Sequence, residues 1–173
     1  MGQAKQETSD SAQAQQNFTE VLKKFDTAML VTHTSQGGPL HGRPMAVADT
    51  EEDGSVWFIT GADTPKLSEI QKDSEVVATF QASRVFLSVT GKVQIVRDRA
   101  RIEQVWKESF RAWFDGKDDP NIVLLRVAPS QAEYWDNTGL KGVAFALKVA
   151  SAYVSGKELR GPGSVDQHGK VEL

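Results

Sequence analysis

Cysteine is absent from the 173 residues, so disulfides, cysteine-based metal sites and thiol catalysis are all excluded. Histidine is scarce. His33, His41 and His168 are scattered without metal-ligand spacing, and no metal site is expected from them. Long hydrophobic runs are missing too: the longest spans about five residues, against about 20 for a membrane-crossing helix. The first residues are polar and carry no secretory pattern, which points to the cytoplasm and away from a membrane. Excess positive charge is lacking, and a net charge of −3 argues against a protein built to coat nucleic acid. Neither a GxGxxG fingerprint nor a Walker loop occurs. No Ser-His-Asp order can be read, and the carboxylate pairs Glu51-Glu52 and Asp118-Asp119 fall in turn-like stretches. No catalytic residue stands out.

What is present suits one soluble domain. Apolar residues make up 39% and charged residues 25%, enough for one core and too short a chain for two. Residues 1–13 lack apolar periodicity and read as disordered. Residues 14–155 form the candidate domain, and the glycine-rich residues 156–173 read as a flexible tail. Phe18, Val21, Leu22 and Phe25 fall on one helical face, with Asn17 and Glu20 placed as a capping box. Ala28 to Thr34 reads as a strand and residues 36–39 as a turn. The return strand then alternates His41, Arg43, Met45 and Val47 on one face. Pro44 cannot donate to a ladder, so that strand lies at an edge or bulges there.

The most informative stretch is Gly54 to Ile70, GSVWFITGADTPKLSEI. Val56 to Thr60 is a β-branched and aromatic run, and Gly61 ends it. Asp63 or Thr64 then supplies an N-cap oxygen, with Pro65 at the first helical position. Two hydroxyls, helix N–H groups, the positive end of a helix dipole and the Lys66 ammonium thus converge on a corner suited to phosphate. The alternative is an ordinary capped helix with a solvated lysine.

Beyond it, Val76 to Phe80 reads as a strand buried on both faces, and Arg84 to Val96 as a long strand with a bulge, or a bend at a barrel corner, at Gly91. Arg97 to Phe114 carries helical spacing with an aromatic stripe. Ile122 to Val127 reads as a closing strand interrupted at Pro129 and resumed at Ala132 to Asp136, and residues 140–153 as a short helix. The order of elements predicts a mixed α+β fold: an antiparallel barrel with flanking helices.

The strand from residue 38 to 48, the aromatic strand ending at Thr60 and the Thr64-x-Lys66 turn resemble the flavin-binding split β-barrels of the pyridoxamine 5'-phosphate oxidase-like superfamily, and within it the general stress protein 26 branch. The resemblance implies that Thr60, Thr64 and Lys66 hold the phosphate of FMN, or of FAD as the alternative. It implies that Arg43, Pro44, Met45, Ala46 and Val47 run along the flavin ring beside Ile59. It also implies a homodimer with a site at each interface, where Trp135 approaches the flavin from the partner. Pro65 replaces the oxidases' arginine, Phe86 stands where they carry glutamine, and their C-terminal Arg-Leu-x-Pro motif is missing. The expectation is a flavin-binding stress protein without pyridoxamine phosphate oxidase activity. The alternative is a flavin-dependent oxidoreductase acting on an unidentified small molecule, and a third is a barrel holding haem or a deazaflavin.

Overall fold

In the computed structural model, residues 18–136 and 168–172 are described. The expectations for residues 1–13, the Asn17 cap and the 140–153 helix lie outside them. Helix α1 covers residues 18–22, and strands β1 (Thr27–His33), β2 (Leu40–Thr50) and β3 (Val56–Gly61) follow. Helix α2 (Pro65–Lys72) separates β3 from β4 (Glu75–Gln81) and β5 (Val85–Val96). Helix α3 (Arg99–Val105) and a 3-10 turn (Glu108–Ala112) lead into β6 (Ile122–Asp136), and β7 is His168–Glu172.

The strands run in the order β3-β2-β1-β4-β5-β6, and β6 returns to pair with β3, with every pairing antiparallel. This closes a six-stranded barrel. The expected split-barrel class is the one observed. Phe18, Val21, Leu22 and Phe25 pack with Leu30, Phe58 and Leu87 in the interior, where apolar area leaves water and drives the closure. A second cluster lies outside the wall: Trp57 and Ile59 of β3 and Leu124 of β6 pack beneath Ile102, Val105 and Phe110. No described helix is long and apolar enough to cross a membrane.

Several local expectations are corrected. The strand buried on both faces is β3, whose Val56 to Thr60 are all buried, because α3 covers its outer side. In β4 burial alternates instead, leaving Thr79 exposed and Val77 half-buried. The bulge in β2 lies between Val47 and Asp49 rather than at Pro44. Pro44 does face an open edge, since β3 pairs only from Val47 onward. The helix expected over 97–114 breaks at Trp106 and Lys107, which are extended. The break lets Lys107 Nζ donate to the Val47 carbonyl at the bulge, 3.0 Å away. Strand β6 runs unbroken through Pro129, opposite the register shift at Thr90 and Gly91. The stretch expected to be a flexible tail includes β7, which pairs with β6 from Gln131 to Trp135.

At Gly91 the strands approach so closely that a Cβ would sit 2.2 Å from the Ala128 carbonyl oxygen. Backbone cannot step aside as a flexible side chain can. Gly91→Ala is therefore expected to lower unfolding stability by about 1–3 kcal/mol in a denaturant titration. Unchanged stability would contradict this packing.

Candidate functional site

β3 ends at Gly61 on the open side of the barrel, and a tight turn then starts α2. Asn121, at the entry to β6, clamps that turn: Ala62 N donates to its main-chain oxygen at 2.7 Å and to its Oδ1 at 3.0 Å. Asn121 Nδ2 donates to Asp63 Oδ1 at 3.2 Å. A Cβ on Gly61 would stand 2.9 Å from Asp63 Oδ1 and 3.0 Å from Asn121 Nδ2, so the clamp needs glycine there.

Thr64 is the N-cap residue of α2 and Pro65 follows at the start, as the sequence implies. The side-chain cap expected from Asp63 or Thr64 does not form. Thr64 Oγ1 turns back to donate to the Gly61 carbonyl at 2.9 Å, and Asp63 is engaged by Asn121. Among the described residues the helix N-terminus thus has no side-chain cap, and although Leu67 N already donates to the Thr64 carbonyl at 3.1 Å, the positive dipole end can take an external anion.

Lys66 completes the corner. Its half-buried ammonium donates to Thr60 Oγ1 at 2.7 Å, which leaves the Thr60 hydroxyl proton available to another acceptor. Burial, then the charge of Arg43, lowers the Lys66 pKa, while Glu69 and Asp63 act in the opposite direction. A cation partly stripped of water and pushed by a second cation is one that a bound anion would stabilise.

These groups line a cleft of about 460 Å³, within the usual range for small-molecule pockets. Thr60, Thr64, Lys66, Asp63 and Asn121 form its polar end. Pro44, Met45 and Ala46 of β2 form one wall with Ile59, and Trp113 and Phe114 form another. Seven of the ten residues singled out from the sequence line this cleft.

The other three do not. Arg43 Nη2 donates to Glu69 Oε2 at 2.6 Å and to Thr32 Oγ1 at 3.1 Å, and its Nε is buried without a partner among the described residues. Thr32 Oγ1 donates to the same Glu69 oxygen at 2.7 Å. Val47 is in the barrel interior. Trp135 is half-buried on β6, between Phe86 of β5 and His168 of β7. Sequence reasoning missed Asn121 and Asp63 as parts of the site. Asn121 lies 61 residues after Thr60 (121 − 60), and only the β3–β6 pairing joins them.

The architecture is that of a split barrel, and comparison with known proteins gives the family. The family described as Pyridoxamine 5'-phosphate oxidase like matches residues 13–160, and this chain belongs to it. General stress protein 26 of Bacillus subtilis is 29% identical over 120 residues, 66% of this chain and 82% of that protein. The crystal structure of a general stress FMN/FAD binding protein from Xanthomonas citri matches with a TM-score of 0.62 and 30% identity, over 73% of this chain and 91% of that one. A general stress protein 26 structure from Jannaschia shares the fold at a TM-score of 0.69 and 22% identity, covering 94% of this chain and 99% of its own.

Burial opposes ionisation of Glu69, but hydrogen bonds from Thr32 and Arg43 and the Arg43 charge hold its carboxyl below the ordinary value. With a lowered folded pKa, its contribution is present above the ordinary carboxylate range and is lost as pH falls through it. Glu69→Ala would leave the Arg43 guanidinium buried without its counter-charge. We expect a loss of about 3–5 kcal/mol at pH 7 and a shallower acid limb of stability than wild type. Parallel acid limbs in the two proteins would contradict the pairing.

Proposed function

We propose that this chain binds a flavin, FMN or alternatively FAD, with the phosphate at the Thr60–Lys66 corner, as a flavin-binding protein of the general stress protein 26 kind. The observation that carries the reading is the Lys66 ammonium, held on Thr60 beside a helix N-terminus that no described side chain caps. The donor set fits the group. Lys66 and Thr60 are donors a phosphate takes, Asn121 brings an amide, and the Thr64 hydroxyl would join only by leaving the Gly61 carbonyl. The exposed edge of β2 at Pro44 to Ala46 offers main-chain groups to a heterocycle beside the apolar Met45 and Ile59. Flavin, when bound, supplies hydride and single-electron chemistry; the residues of this chain bind, orient and shield it. The FMN/FAD binding relative from Xanthomonas citri supports the same reading.

The reading includes a homodimer. Across β2, β1, β4 and β5 the outer face carries the rows Pro44–Met29–Thr79–Ser88 and Gly42–Val31–Val77–Thr90, none of them charged. Met29 is 42% exposed at its centre. Such a face wants a cover, and a second copy of the same barrel is uncharged there too. On β6 the face ends at Glu133, opposite Ser88, and Trp135 lies two residues on beside Phe86, where it would meet the partner's site.

Absorbance and fluorescence titration with FMN tests the corner. Lys66→Ala is expected to weaken binding by about 1–3 kcal/mol, roughly five- to 150-fold in Kd. Equal binding by the variant would place the phosphate elsewhere, and no binding by wild type would overturn the flavin reading. Light scattering after size exclusion tests the dimer. Wild type should have twice the mass of Met29→Glu, which puts a charge in the middle of the face; a wild-type monomer would contradict the proposal.

A further inference from the structure

Trp113 is the cleft residue that phosphate binding leaves without a role. It is 67% exposed, and its neighbour Phe114 packs against the outer core. Backbone bonds from Trp113 N and Phe114 N to the Phe110 carbonyl, 2.9 and 3.1 Å, hold the pair at the end of the 3-10 turn. An indole has only two side-chain torsions to fix when a flat ring covers it.

The layout of the cleft indicates what that ring is. The polar end adjoins apolar lining from two elements, the β2 stretch at Pro44 to Ala46 and the aromatic pair Trp113 and Phe114, with Ala46 and Phe114 packed on the same outer cluster. A flavin mononucleotide carries one ring system and needs one wall. A dinucleotide carries a ring system on each side of its pyrophosphate and needs two. Its extra phosphate also finds donors, because the corner offers the Asn121 amide besides Lys66 and the Thr60 hydroxyl.

We propose that Trp113 is the stacking surface for the adenine of FAD, and so sets the preference of this cleft between FAD and FMN. The inference rests on the flavin reading and deepens it. The indole acts as a specificity residue and takes no part in electron transfer.

The test compares Kd for FMN and FAD in wild type, Trp113→Ala and Trp113→Phe, with a further titration of FMN-loaded protein by AMP. Trp113→Ala is expected to weaken FAD binding about fivefold or more beyond any weakening of FMN, the lower end of base–aromatic stacking. Trp113→Phe, which keeps a flat ring, should restore most of the difference. Equal losses for both flavins would put Trp113 on the part they share, and no loss would make it a bystander; either result overturns the proposal. AMP binding that needs Trp113, without a selective loss of FAD, would assign the indole to a separate nucleotide and also overturn it. A wild type that binds FMN while these tests fail leaves the phosphate corner standing. A wild type that binds neither flavin removes both readings.

Discussion

The pairing of β3 with β6 is the contact on which the rest of the molecule depends. Six residue pairs, from Val56 with Val127 to Gly61 with Ile122, close the sheet on itself and leave β2 an open edge only before Val47. The same pairing buries β3 on both faces, with Val56 and Phe58 inside the barrel and Trp57 and Ile59 under α3. It also brings Asn121, at the start of β6, against the turn that leaves β3. That clamp fixes where α2 begins, and with it the position of Lys66. Fold and candidate site are therefore set by one ladder.

The electrostatics around that turn are balanced rather than simply positive. Lys66 faces the cleft, while Arg43 behind it is bound to the buried Glu69 and to Thr32. Glu69 offsets one cation, so the polar end of the cleft presents one ammonium, the Thr60 hydroxyl and the start of α2, with the Asp63 carboxylate held by Asn121. A phosphate arriving there meets donors already in place, and little reorganisation is needed to hold it.

Much of this was legible in the sequence because it is local. The run from Val56 to Thr60, the stop at Gly61, Pro65 at the helix start and Lys66 one residue on all lie within one stretch, and the structure keeps them together. Gly91 marked its bulge for a reason now visible, the close approach of the Ala128 carbonyl. What the sequence could not show was which strand would be covered from outside. Val76 to Phe80 and Val56 to Thr60 are both continuous runs, and only the packing of α3 distinguishes β3 from β4. The break at Trp106 and Lys107 was hidden for a similar reason. Helical spacing continues through it, and the pull toward the Val47 carbonyl is tertiary. Arg43 could not show its partner, since Glu69 is 26 residues away on another element and holds the guanidinium off the cleft lining.

The central claim is that the Thr60–Lys66 corner holds a phosphate and not merely a flat ring. Its most direct test is the ratio of Kd values for riboflavin and FMN with the wild-type protein, since the two ligands differ only in the phosphate. The account predicts FMN tighter by at least about tenfold, the effect of one charge-assisted contact in a partly buried site. Equal affinities would mean that the corner contributes nothing to binding, and the account would fall.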